Sequence, residues 1–209
     1  MSAMPIPDLY RKYFVEREFE RLDLFQLIAE EYKIKRVLYP GSFVHVTPSF
    51  VFPQVVYVDN DKQADKFFRI PEMHQFIEQQ KTYPQAANLK FHFADYREGF
   101  NEKEKSFDLL ISQYSGFVGQ YCKPYLKKGG LLLANNSHGD AGVAAIDKDY
   151  EFIAVFFLRN GRYKIQQTDL DDYFVPKSPA KQTRESLMQL QKGIGYKKSG
   201  NAYLFRKLS

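Results

Sequence analysis

Between residues 34 and 140, short apolar runs alternate with stretches of helical spacing. Arg36-Val37-Leu38-Tyr39 closes in Pro40-Gly41-Ser42, Val55-Val56-Tyr57-Val58 closes in Asp59-Asn60-Asp61, and Leu89 to Phe93 closes in Ala94-Asp95-Tyr96. Phe107 to Ser112 and Leu131 to Ala134 are two more such runs. Each predicts a strand ended by a turn. Strands that are apolar throughout, with helical stretches between them, belong to a parallel sheet covered on both faces.

The connecting segments agree with that pattern. Thr47-Pro48 predicts a helix start, a capping hydroxyl followed by proline at the first helical position, and Pro53 keeps that helix short. Lys62 to Gln80 predicts a helix interrupted by Pro71, with Met73, Phe76 and Ile77 facing inward. A helix through Tyr121 leads to a turn at Lys127-Lys128-Gly129-Gly130. Ahead of the first strand, Asp8 to Tyr32 predicts a helix with an apolar stripe of Val15, Phe19, Leu22, Phe25, Ala29 and Tyr32; Asp23 is placed to cap a second piece should the helix divide.

After residue 150 the pattern changes. Phe152 to Leu158, Asn160-Gly161 and Tyr163 to Ile165 form a hairpin signal, because Asn-Gly suits a two-residue primed turn. A helix from Thr183 to Gln191 and a last strand from Ala202 to Phe205 follow. The expected fold class is α/β: a three-layer, mostly parallel sheet with helices on both faces and an antiparallel C-terminal hairpin and strand. The expected organisation is an N-terminal helical segment, 1–33, and a single domain, 34–209, with no internal repeat.

Composition narrows the function classes. Hydrophobic residues at 44% and charged residues at 26% exclude extended disorder. A single cysteine, Cys122, excludes an internal disulfide and a cysteine-rich zinc site. With neither His-x-x-x-His nor Cys-x-x-Cys spacing, no metal is expected. No apolar run approaches the roughly 20 residues that span a bilayer, and Met1–Asp8 lacks a basic patch before an apolar block, so a cytoplasmic protein is expected. The net charge of +5 is concentrated at one end: Pro176 to Ser209 holds eight basic residues and one acid, Glu185. That segment reads either as a solvated basic surface or as a face for nucleic acid.

In an open α/β sheet the ligand lies outside the carboxyl ends of the strands. The competing loops are Pro40-Gly41-Ser42, Asp59-Asn60-Asp61, Asp95-Tyr96, Gln113-Tyr114-Ser115 and Asn135-Asn136-Ser137-His138. A carboxylate at a strand end suits the vicinal hydroxyls of a ribose, since it accepts two hydrogen bonds, although acids there also serve as turn and cap residues. Gly41 permits close backbone approach. In the last loop His138 can take a proton near neutral pH and Asp140 can orient it; alternatively Ser137 and Asp140 cap the helix through Val143 to Ile146. His45 and His92 read as packed or exposed, and Asp108 as structural.

The order strand–glycine turn, strand–acid, strand–Asp, Phe-Asp-Leu-Leu-Ile-Ser and Leu-Lys-Lys-Gly-Gly-Leu-Leu-Leu resembles the class I S-adenosylmethionine-dependent methyltransferases, over about residues 34–140. The resemblance implies a Rossmann-like domain and S-adenosylmethionine as cofactor. It implies that Gly41, with Ser42, approaches the methionine part, that Asp59, with Asn60, holds the ribose, and that Asp95, with Tyr96, reaches the adenine. Gln113 and Tyr114 would line the methyl-transfer centre, where an aromatic face favours a sulfonium cation. The first loop departs from the family in carrying one glycine. That same poverty disfavours a nicotinamide dehydrogenase, whose pyrophosphate needs the fuller glycine loop. The absence of an Asn-Pro-Pro-Tyr motif makes exocyclic nucleobase amines poor acceptors, and the acceptor stays open between a small molecule and a macromolecule. The alternative reading is a non-catalytic module of the same fold that binds RNA through the basic C-terminal segment.

Overall fold

Val37 to Tyr39 and Val55 to Val58 are all at most 5% exposed, as continuous apolar runs require when both faces of a strand are covered. In the computed structural model, which describes residues 6–178 and 182–209, the chain forms two compact units, Met1–Phe100 and Asn101–Ser209. Residues 1–5 of the N-terminal stretch and Lys181 of the basic segment lie outside the described residues.

The first unit holds three parallel strands: β1 (Arg36–Pro40), β2 (Gln54–Asp59) and β3 (Asn88–Phe93), in the order β3-β2-β1. Val37 pairs with Val55 and Val55 with Leu89. β3 differs from its expected burial on both faces: Lys90 and Phe93 are exposed, because β2 is its one strand neighbour among the described residues. The predicted N-terminal helix is two pieces. α1 (Asp8–Tyr10) runs into a π-helical turn (Arg11–Val15), and α2 (Leu22–Glu31) begins only after Glu18 and Arg21 take left-handed backbone angles (φ 52° and 55°). The break rotates the buried face. Tyr10, Phe14, Leu24, Phe25 and Ile28 are buried, while Ala29 is exposed.

α3 (Pro48–Val51) has its proline at the first turn, but the Thr47 hydroxyl does not cap it. That hydroxyl sits 2.8 Å from the Tyr10 hydroxyl, which itself donates to Glu20 Oε1 at 2.5 Å. α4 (Lys62–Phe68) is capped by Asp61, which accepts from Gln63 and Ala64 amides, and Pro71 opens α5 (Pro71–Gln80). Met73, Phe76 and Ile77 are buried as the periodicity predicts.

The second unit is built on five strands. β4 (Phe107–Ser112) is parallel to β5 (Leu126–Ala134), while β6 (Tyr150–Arg159) and β7 (Arg162–Gln166) form the hairpin. β8 (Ala202–Lys207) inserts between β5 and β6, antiparallel to both, so the order is β4-β5-β8-β6-β7. Asn160 and Gly161 both have positive φ (51° and 73°), as a primed turn requires. The Gly-Gly pair expected to precede β5 lies inside it instead: Gly129 (φ 75°) marks a register shift opposite Phe107 and Leu109. Three short helices complete the unit: α6 (Val118–Tyr121), α7 (Asp140–Ile146) and α8 (Arg184–Leu190). Thr183 and Ser186 cap α8 reciprocally, and Leu187 packs with Phe117 and Val143.

Cys122 is fully buried behind α6, where desolvation, with the charge of Asp140 added, pushes its thiol pKa up. Parallel pairing in both units with an antiparallel C-terminal end is the expected α/β arrangement. Among the described residues no helix is long and apolar enough to cross a membrane.

Candidate functional site

In the first unit β1 ends in a turn around Gly41, whose φ of 63° any side chain would strain. The Gly41 amide donates to Val58 O at 2.7 Å, tying the turn to the end of β2. The rest of the loop is packed with side chains: Val44, His45 and Val46 are at most 1% exposed, and Ser42 is 2% exposed. The Ser42 hydroxyl turns to its own loop, 3.3 Å from Phe43 O, so this loop presents backbone rather than a hydroxyl. His45 is packed, one of the two outcomes expected for it. Its ring stacks on Phe14 at 4.3 Å and bridges the Tyr39 hydroxyl and Glu20 O, and burial holds its pKa well below the ordinary value.

Asp59 stands at the end of β2. One carboxylate oxygen accepts the Phe43 amide at 2.7 Å and the other accepts the Asp61 amide at 2.9 Å. Each oxygen retains a second lone pair, so two acceptor positions remain side by side. Asn60 beside it is exposed. Asp95, beyond β3, already carries a cation: Arg97 grips it through Nε at 2.9 and 3.1 Å and through Nη2, which keeps its carboxyl below the usual carboxylate range. Tyr96 is half-buried. The strand-end acids therefore differ, Asp59 having main-chain partners and Asp95 an arginine.

In the second unit, Gln113 (4% exposed) and Tyr114 follow β4. Tyr114 is half exposed and has φ 61°, an uncommon conformation for a tyrosine that turns the chain sharply at the strand end. The expected His138–Asp140 pair is not formed. Asp140 is 1% exposed and accepts from the Ser112 hydroxyl at 2.5 Å and the Gly119 amide at 2.8 Å, whereas His138 is half-buried with no hydrogen-bond partner among the described residues. Asp140 ties α7 to β4 and α6 and does not orient the imidazole. The capping alternative fails as well. Ser137 donates to Asn135 Oδ1, and the carbonyl that receives the Gly142 amide at the start of α7 belongs to Asn136.

Burial pushes the Asp140 carboxyl up to about 6, against about 3.9 in an unfolded chain. The folded state holds that proton more tightly, so this group's stabilisation is complete at low pH and is lost as pH rises through 6. Relative to Asp140→Asn, the wild-type protein is expected to lose about 2 kcal/mol of stability between pH 4 and pH 7. Urea midpoints of both proteins at the two pH values measure it; parallel pH profiles would contradict a buried titrating carboxyl.

Beyond β5 the second unit carries an open pocket of about 380 Å³, lined by Tyr114, Asn135, Lys177, Tyr196 and Tyr203 among others. In two of the lining residues a buried polar atom has no partner among the described residues: Asn135 Nδ2 and the Tyr196 hydroxyl, which is turned toward Gly142 of α7 and is raised to about 12 by burial. The polarity of Asn135-Asn136 was visible in the sequence. Lys177 and Tyr196 were not, because the stretches 167–178 and 192–201 carry no periodic pattern and are joined by isolated bridges, Tyr173 to Lys198 and Pro176 to Tyr196. Part of the basic C-terminal charge is locally spent, since Lys198 pairs with Asp172 at 2.8 Å and Arg206 with Glu151 at 3.3 Å.

No family model matches the chain, and no curated protein matches it in sequence. Solved structures do. A methyltransferase from Geobacter sulfurreducens is 13% identical with a TM-score of 0.53, over 100% of this chain and 92% of that one. A protein from Corynebacterium glutamicum is 8% identical with a TM-score of 0.51, over 100% and 93%. Strand direction, the reversed late strand and this likeness agree: the chain has the Rossmann-like α/β fold of the class I methyltransferases.

Proposed function

We propose that the chain is an S-adenosylmethionine-dependent methyltransferase in which Asp59 holds the donor's ribose. The observation that carries this reading is the state of Asp59. Its two oxygens are oriented by one main-chain amide each and keep one acceptor position each, the pair a vicinal diol needs. The backbone at Gly41 is open to a close neighbour for want of a side chain. These residues fit the cofactor's nucleoside without requiring a phosphate-binding glycine loop. S-adenosylmethionine supplies an electrophilic methyl group when bound.

The remaining work falls to this chain's own side chains. In the second unit the pocket of about 380 Å³ beyond β5, with Tyr114, Tyr196 and Tyr203 on its wall, suits an acceptor of modest size. Positioning supplies most of the rate, and His138, which has no hydrogen-bond partner among the described residues, takes the proton of a hydroxyl acceptor. Calorimetry with S-adenosylhomocysteine tests the reading. Saturable heat with a micromolar Kd is expected, and no heat at millimolar ligand in folded protein would overturn it.

A further inference from the structure

Part of the basic C-terminal segment gathers at a second place, which the methyltransferase reading does not use. A cavity of about 890 Å³ opens in the second unit at the start of β5, roughly 25 Å along that strand from the Asn135 loop. Its wall carries five cations, Lys105, Lys123, Lys148, Arg184 and Lys207, and two acids. Lys123 engages both acids, Asp147 at 2.7 Å and Asp149 at 2.6 Å. Among the described residues the other four cations have no carboxylate within 4.0 Å.

Lys207 is the unusual member. It is 5% exposed, and its ammonium donates to two main-chain carbonyls, Leu126 O at 2.9 Å and Lys123 O at 3.1 Å. An ammonium has three N–H groups, so one is uncommitted, and among the described residues no carboxylate lies within 4.0 Å of the charge, Asp149 and Glu104 acting on it only from farther away. Desolvation, with Lys105 and Lys123 nearby, lowers its pKa despite the opposing charges of Asp149 and Glu104. Gln182, on the same wall, has a buried Nε2 with no acceptor among the described residues. A buried ammonium held only by carbonyls and an amide donor without an acceptor call for the same partner, an anionic oxygen.

We propose that this cavity binds a small phosphate monoester, with Lys207 and Gln182 donating to the phosphate oxygens and Lys105 and Arg184 supplying charge at the rim. A tetrahedral dianion presents three oxygens to donors on separate walls, which a planar carboxylate does not. The cavity exceeds a bare phosphate, and its apolar wall of Pro124, Val143 and Ile146 suits the ester's organic part.

The test is calorimetry of the full chain with inorganic phosphate, ribose 5-phosphate and ribose. Saturable binding of both phosphates, at least tenfold tighter for the ester, and none for ribose are expected. Lys207→Met should weaken ribose 5-phosphate at least tenfold. Arg184→Ala, an exposed substitution that spares the fold, should weaken it about threefold and leave S-adenosylhomocysteine binding unchanged. Absence of saturable phosphate binding in the folded wild type would overturn the site, as would ester binding that Arg184→Ala and a folded Lys207→Met both preserve. Phosphate affinity appearing only with an RNA oligomer would also overturn it, in favour of a surface interaction.

Discussion

Phe205→Ala is expected to destabilise the protein by about 3–5 kcal/mol. Phe205 is fully buried in β8, paired with Leu132 of β5 and Phe152 of β6, and its ring lies 5.3 Å from Phe152, 5.7 Å from Phe174 and 6.3 Å from Tyr150. Truncation removes the ring from the strand that joins the parallel and antiparallel parts of the second unit, and β-strands on both sides prevent the space from collapsing. Since a domain's whole stability is about 5–15 kcal/mol, a loss of this size lowers the denaturant midpoint substantially. Phe205→Leu, which keeps most of the volume, should cost less than half as much. A midpoint equal to wild type in Phe205→Ala would remove β8 from the core.

Asp59→Asn is expected to weaken S-adenosylhomocysteine binding by about 10–100-fold, the worth of one or two hydrogen bonds to a charged acceptor. The amide keeps one oxygen for the Phe43 or Asp61 N–H but replaces the other acceptor with a donor, so it no longer accepts from both hydroxyls of a diol. Asp61→Asn is the control. Asp61 caps α4 through the Gln63 amide at 2.6 Å, and asparagine caps almost as well, so affinity and stability should both stay near wild type. Calorimetry of the three proteins separates the outcomes, and undiminished affinity in a folded Asp59→Asn would end the ribose assignment.

Strand positions were legible because a covered strand writes its burial on both faces into consecutive residues. Val55 to Val58 and Leu131 to Ala134 need no knowledge of their neighbours. The N-terminal stripe was misread for a reason that composition conceals: the left-handed residues at the break are Glu18 and Arg21, not glycines, so no punctuation marks the change of phase. Conversely, Gly129-Gly130 looked like punctuation and proved to be a distortion within a continuous strand. At the strand ends the acids themselves could be found, but their partners could not. Asp95 is claimed by Arg97 two residues on, a choice of rotamer, and Asp140 is claimed by Ser112 and Gly119, 28 and 21 residues away, a product of packing. The adjacency of His138 and Asp140 along the chain was no guide, because α7 starts between them and turns the carboxylate inward.

The inaccessible thiol behind α6 gives the molecule a built-in clock. Because Cys122 is the sole cysteine and is sealed from solvent, an alkylating reagent can mark the chain only while the second unit is open. The rate of labelling therefore reports how often that half of the protein breathes, with no probe added and none of its other side chains altered.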